Sequence, residues 1–131
     1  MNYSDDTSYY CYKSLFNNCS SLVTPPQLQA TTLRQGCYKG IFAGCTSLST
    51  APSLPATTLS TECYKYMFKQ CTSLKTAPIL PATRISGWGD YHGMFSGCTS
   101  LTSTPNLPAS ALNDHAYTEM FAGCTSLTSI P

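Results

Sequence analysis

Cys63-Tyr64-Lys65-Tyr66-Met67-Phe68-Lys69-Gln70-Cys71-Thr72-Ser73-Leu74 decides the reading of this chain, because the chain writes it five times. The same frame returns at residues 37–48 and, more loosely, at 11–22. It returns again at 90–101 and 116–127. Its second cysteine falls at Cys19, Cys45, Cys71, Cys98 and Cys124, a period of 26, 26, 27 and 26 residues. A fixed period of that size signals a solenoid, in which like coils stack and share a core. The expected fold is therefore a repeat solenoid of five coils of about 26 residues. The coils run roughly over 11–36, 37–62, 63–89, 90–115 and 116–131, the last incomplete. Polar residues 1–10 are a candidate N-terminal cap.

Each coil reads as a short helix followed by a short parallel strand or extended segment. Ser60 and Thr61 suit a helix start and Glu62 its first turn. Cys63, Tyr64, Met67 and Phe68 then follow the i, i+3, i+4 spacing of a two-turn helix. Asn18, Gly44, Gly97 and Gly123 share the position of Gln70, which suggests a left-handed C-terminal cap strained at Gln70. The Thr-Ser pairs that follow have hydroxyls suited to bonding the turn backbone or one another.

Beyond the inward-facing leucines, Pro26, Pro52, Pro78, Pro105 and Pro131 lack an N–H at one rung of every coil. Strands should accordingly be two to four residues long. Leu28, Leu54, Leu80 and Leu107 form a further inward rung, and Leu33, Leu59, Ile85 and Leu112 close the coil. Phe16, Phe42, Phe68, Phe95 and Phe121 are expected to stack as one core ladder. Tyr12, Tyr38, Tyr64, Tyr91 and Tyr117 are expected to form another.

Eight cysteines in 131 residues suggest disulfides at first sight. The register argues otherwise. Three coils carry a Cys-x7-Cys pair, but Asp90 and Ala116 stand at the first position of the last two. An obligatory bridge would lose both partners together. Cys19, Cys45, Cys71, Cys98 and Cys124 therefore read as a ladder of buried thiols. Bridges within or between coils are the alternatives. The spacing is not that of a zinc site, and only His92 and His115 could help.

The chain has 7 basic and 6 acidic residues and a net charge of +1, so no basic surface points to nucleic acid. No apolar run approaches the ~20 residues needed to span a membrane. The first ten residues lack the hydrophobic stretch of a signal peptide. No nucleophile stands beside an obvious base, the acids are scattered, and no phosphate-binding glycine loop is present. The expectation is a non-enzymatic protein with no cofactor and no metal.

Met-Phe-x-Gly-Cys-Thr-Ser-Leu, at residues 94–101 and 120–127, resembles the repeats of BspA-like leucine-rich-repeat surface proteins of bacteria. The resemblance extends from about Tyr10 to Pro131. It implies a leucine-rich-repeat-like fold and an extracellular or cell-surface location. It also implies a role in adhesion or recognition of a protein or glycan. It supplies no catalytic residue.

Ligand contacts in a repeat array fall on positions that vary between coils. Lys13, Lys39, Lys65, His92 and Thr118 share one such position. Stacked about 5 Å apart, three lysines would repel unless solvated or countered, and could draw an anionic surface. The bland alternative is a solvated face whose stems cover the core. Tyr66 lies in the next variable position. Ser86-Gly87-Trp88-Gly89-Asp90 holds the extra residue and the sole tryptophan. Trp88 is either an exposed platform or a filler for the missing cysteine. Lys39, Lys65, Tyr66, Trp88 and His92 are thus the candidate ligand contacts. The repeat breaks off at Ile130-Pro131, so either the chain is cut from a longer array or its open coil meets another molecule, which allows end-to-end assembly into a filament. The resemblance also admits a phage receptor-binding component.

Overall fold

The computed structural model describes residues 12–85, 87–108 and 115–129. The candidate cap over 1–10, Cys11, Ser86, Leu112 and the Ile130-Pro131 end lie outside them. Among the described residues there is no helix. The regular structure is two parallel strands, β1 (Thr58–Leu59) and β2 (Arg84–Ile85), paired Thr58 to Arg84 and Leu59 to Ile85. Single bridges join Thr32 to Thr58 and Thr76 to Ser103. The expected leucine-rich-repeat-like solenoid of five helix-plus-strand coils is therefore overturned.

What replaces the helix is a ribbon of overlapping turns. Cys37, Lys39, Ile41, Ala43 and Cys45 each donate an N–H to the carbonyl three residues back, at 3.0–3.1 Å. The residues between them point their N–H groups out of the repeat. Gly36, Tyr38, Gly40, Phe42 and Gly44 donate to the carbonyls of Thr61, Cys63, Lys65, Met67 and Lys69 at 2.8–3.1 Å. The carbonyls of Cys37, Lys39, Ile41 and Ala43 in turn accept from Tyr12, Ser14, Phe16 and Asn18. Every second amide thus closes a turn, and every other one ties two repeats together. This satisfies the backbone as completely as a helix would, by another route.

Backbone conformation enforces the choice. φ is positive at every fourth residue: +64° at Gly36, +60° at Gly40 and +76° at Gly44. Each of these residues is third in its turn, where a type II turn requires a left-handed residue. A right-handed helix admits none. Gly89, Gly93 and Gly97 repeat the pattern. Glu62, Tyr66 and Gln70 adopt it without glycine's freedom, at φ of 59°, 56° and 60°. Each such residue costs about 1–2 kcal/mol. Five hydrogen bonds to the next repeat, from Glu62, Tyr64, Tyr66, Phe68 and Gln70, offset this at ~1 kcal/mol apiece. Positive φ at Asn18, Gly44, Gln70, Gly97 and Gly123 is therefore one rung in three of a ribbon and not a helix cap.

A ribbon of period four still sends Tyr38 and Phe42, or Ile41 and Cys45, to the same side. All four are buried at 3% exposure or less. The tyrosine rings stack from Tyr12 to Tyr117 at centroid distances of 5.4–6.3 Å. The phenylalanine rings stack from Phe16 to Phe121 at 5.6–5.8 Å. Leu48, Leu74 and Leu101 are sealed beneath them. Leu28, Leu54 and Leu80 line the other side of the core, with Leu33, Leu59 and Ile85.

The described cysteines, Cys19, Cys37, Cys45, Cys63, Cys71, Cys98 and Cys124, are free thiols. Four of them bond along the stack. Cys45, Cys71, Cys98 and Cys124 donate Sγ–H to the carbonyls of Phe16, Phe42, Phe68 and Phe95 at 3.0–3.2 Å. The hydroxyls of Ser73 and Ser126 similarly reach back to the Thr46 and Thr99 carbonyls at 2.6 Å.

Candidate ligand-contact face around Trp88

The turn ribbon positions the variable side chains. Residues on the side away from the core stand in columns, one repeat over the next. The lysine column is not a bare row of charge. Glu62, in the rung before it, takes Lys39 Nζ on Oε2 at 2.9 Å and Lys65 Nζ on Oε1 at 2.7 Å. Partial burial opposes ionisation of Glu62, but the hydrogen bonds from Lys65 and Lys39 outweigh it and hold its carboxyl below the usual range. Of the two ways to relieve repulsion in this row, solvation or a counter-charge, Lys39 and Lys65 have the second, within the chain. Sequence spacing places Glu62 only in the first turn of a helix. The signal for its true place is its column with Gly36, Gly89 and His115, a rung of the four-residue ribbon.

Tyr66 lies across the next repeat. A Cβ built on Gly93 would sit 2.5 Å from both Cδ1 and Cε1 of the Tyr66 ring. The edge of the ring therefore occupies the space that a side chain at this position would need. Its hydroxyl is 3.1 Å from His92 Nε2, and the two rings meet edge to face at 5.2 Å. Lys65 and Lys69 place their ammonium groups 5.4 and 4.8 Å from the Tyr66 ring centre. Burial and the nearby Lys65 charge lower the His92 pKa, so His92 is neutral at neutral pH.

Trp88 completes the group. Its ring stacks on His92 at 6.3 Å and 21°, and meets His115 edge-on at 5.4 Å. Lys65 Nζ lies 4.8 Å from its centre. Trp88 nonetheless stays 46% exposed. It does not fill the place of the missing cysteine, because Asp90 occupies that place and is fully buried. The extra residue is absorbed where Gly87 crosses the previous repeat. A Cβ there would lie 2.2 Å from Thr61 Cα, so only glycine fits.

Lys39, Lys65, Tyr66, Trp88 and His92, drawn from three successive repeats, thus form one contiguous surface with Glu62, Lys69 and His115. Pairing of aromatic faces with cations is worth ~0.5–1 kcal/mol per contact at exposed sites, which is enough to order the side chains. Behind this face sits a buried polar patch. Asp90 Oδ2 accepts from the Gly87 N–H at 3.3 Å, while Asp90 Oδ1 and the hydroxyls of Tyr91 and Tyr117 have no partner among the described residues. Burial pushes the Asp90 carboxyl up to about 6, against the pull of the Gly87 and Glu62 amides.

No group of three or more His, Cys, Asp or Glu among the described residues could hold a metal ion. Nor is any helix among them long and apolar enough to cross a membrane. A groove of about 540 Å³ runs elsewhere, along the extended segments by Pro26, Leu28, Pro52 and Pro55, and no charged residue lines it. The chain matches no protein family, no curated protein and no solved structure.

Proposed function

We propose that this chain is a non-enzymatic recognition module acting outside the cell, at a bacterial surface. Its contacts come from the face of Trp88, Tyr66 and His92, with Lys65 and Lys69 at its edge. One observation carries the reading: Trp88 is in contact with His92, His115 and Lys65, yet keeps 46% of its surface open. An ordered, exposed aromatic face suits the apolar face of a sugar ring or an aromatic side chain of a partner. The surface location and the adhesive role follow from the BspA-like motif alone.

The test is a screen of neutral and acidic oligosaccharides by the emission of Trp88, the sole tryptophan. A ligand should change that emission, and in titration calorimetry with the same ligand Trp88→Ala and Tyr66→Ala should abolish binding with little change in melting temperature. Binding that survives both substitutions would defeat this site.

A further inference from the structure

Two aromatic rings of the Trp88 face each carry an ammonium group at the same distance. Lys65 Nζ lies 4.8 Å from the centre of Trp88, and Lys69 Nζ lies 4.8 Å from the centre of Tyr66. Lys65 Nζ is also 5.4 Å from the centre of Tyr66, so it borders both rings. Tyr66 is held in place by its hydroxyl, 3.1 Å from His92 Nε2, and its ring edge fills the space beside Gly93. Neither ring is sealed: Trp88 is exposed and Tyr66 is half-buried.

The cations of this face are unequally countered. Lys65 shares the Glu62 carboxylate with Lys39, at 2.7 and 2.9 Å, so one carboxylate serves two ammonium groups. Lys69 has no carboxylate within ion-pair distance among the described residues. The remaining acid is Glu119, which shares the column of Tyr66 and Gly93 two repeats further on. Its charge reaches His92 through space. Three ammonium groups therefore stand against two carboxylates. The excess positive charge lies on the second and third repeats, beside Tyr66, and the uncountered acid lies on the fifth.

We infer that the ligand of this face is an acidic oligosaccharide, in which a uronic acid adjoins an uncharged sugar. This rests on the recognition reading above and names its ligand class. The C–H face of the uncharged sugar covers Trp88. The carboxylate of the uronic acid pairs with Lys69 beside Tyr66, where the face has a cation without a partner. An acidic peptide supplies the charge but no rigid ring face for Trp88. A polyanion such as nucleic acid binds by neutralising a row of phosphates with free cations, whereas Glu62 already counters Lys39 and Lys65.

The test is titration calorimetry of the 131-residue chain with a hyaluronan tetrasaccharide, which alternates uronic acid with an uncharged amino sugar, and with its methyl ester. The two share the same rings and differ in charge. The acid should bind about three- to fivefold tighter than the ester at low salt. That advantage should shrink in 0.5 M sodium chloride, at roughly a third of the screening length of dilute buffer or less. Lys69→Gln should remove it with little change in melting temperature, while Lys75→Gln, an exposed lysine outside the face, should leave it intact. Equal binding of acid and ester, or an advantage that survives Lys69→Gln, would overturn the inference. So would hexaglutamate binding as tightly as the tetrasaccharide, which would make the ligand an acidic peptide. No binding of either form, while an uncharged sugar still alters Trp88 emission, would overturn the acidic class and leave the recognition face standing. No response to any sugar would overturn both.

Discussion

The Cδ1–Cε1 edge of the Tyr66 ring takes the space beside Gly93, so close that a Cβ there would stand 2.5 Å from both carbons. Gly93 also has φ of +59°. Gly93→Ala therefore meets a clash and left-handed strain together. It should destabilise the chain by about 2–3 kcal/mol, read as a shift in the denaturant midpoint. It should also displace Tyr66 from His92, and weaken ligand binding more than its stability cost explains.

Gln70 offers the reverse experiment. It sits at φ of 60° where Gly44, Gly97 and Gly123 stand in other repeats, and its side chain is exposed. Gln70→Gly should raise stability by a few tenths to about 1 kcal/mol, because relief of the left-handed strain exceeds the added chain entropy. A lower melting temperature would show that the Gln70 side chain contributes packing.

Asp90 makes stability depend on pH. Its carboxyl is raised from 3.8 to about 6 by burial. Folding therefore favours the protonated form. That contribution is whole below about pH 4 and is lost as pH rises through about 6. The chain should be more stable near pH 4.5 than at pH 7.5 by on the order of 2 kcal/mol from this group. Asp90→Asn should flatten that part of the profile in urea melts across pH. Glu62 works the other way, because its lowered carboxyl loses its lysine contacts only as pH falls below the ordinary range.

Phe68 is fully buried between Phe42 and Phe95, at 5.7 and 5.6 Å. Phe68→Ala should cost about 3–5 kcal/mol through the cavity it leaves. A shift near zero in the thermal midpoint would mean that the stack closes over the gap.

The thiols should react in a fixed order. Burial pushes Cys98 up to about 12, and raises Cys71 further. Cys19 is exposed. Iodoacetamide at pH 8 should alkylate Cys19 quickly in the native chain and reach Cys71 and Cys98 only after unfolding. Equal rates, read by peptide mass spectrometry, would refute the sealed ladder.

Which residues stack on which was legible in the sequence, since a strict 26-residue spacing leaves Phe42 no neighbours but Phe16 and Phe68. The conformation was not. Cys63, Tyr64, Met67 and Phe68 fit a helix of period 3.6 and a turn ribbon of period four equally well over eight residues. The discriminating signal was Gly36-x3-Gly40-x3-Gly44 and Gly89-x3-Gly93-x3-Gly97, three left-handed positions in a row where a helix cap explains one. Trp88 was legible as an outlier. The pairing of Lys39 with Glu62 across 23 residues was not, because it depends on how far the ribbon turns between rungs.

By itself, then, the sequence determined the period, the apolar residues of each repeat and the scarcity of long strands, since proline deletes the same N–H every 26 residues. Tertiary structure decided the rest. An isolated repeat has no acceptor for its outward N–H groups, so the ribbon becomes favourable only when the next repeat supplies carbonyls for them. Stacking likewise decided the site. It holds Glu62, Tyr66 and Gln70 in a conformation their residue types disfavour, and so gathers Lys39, Lys65, Tyr66, Trp88 and His92 onto one face.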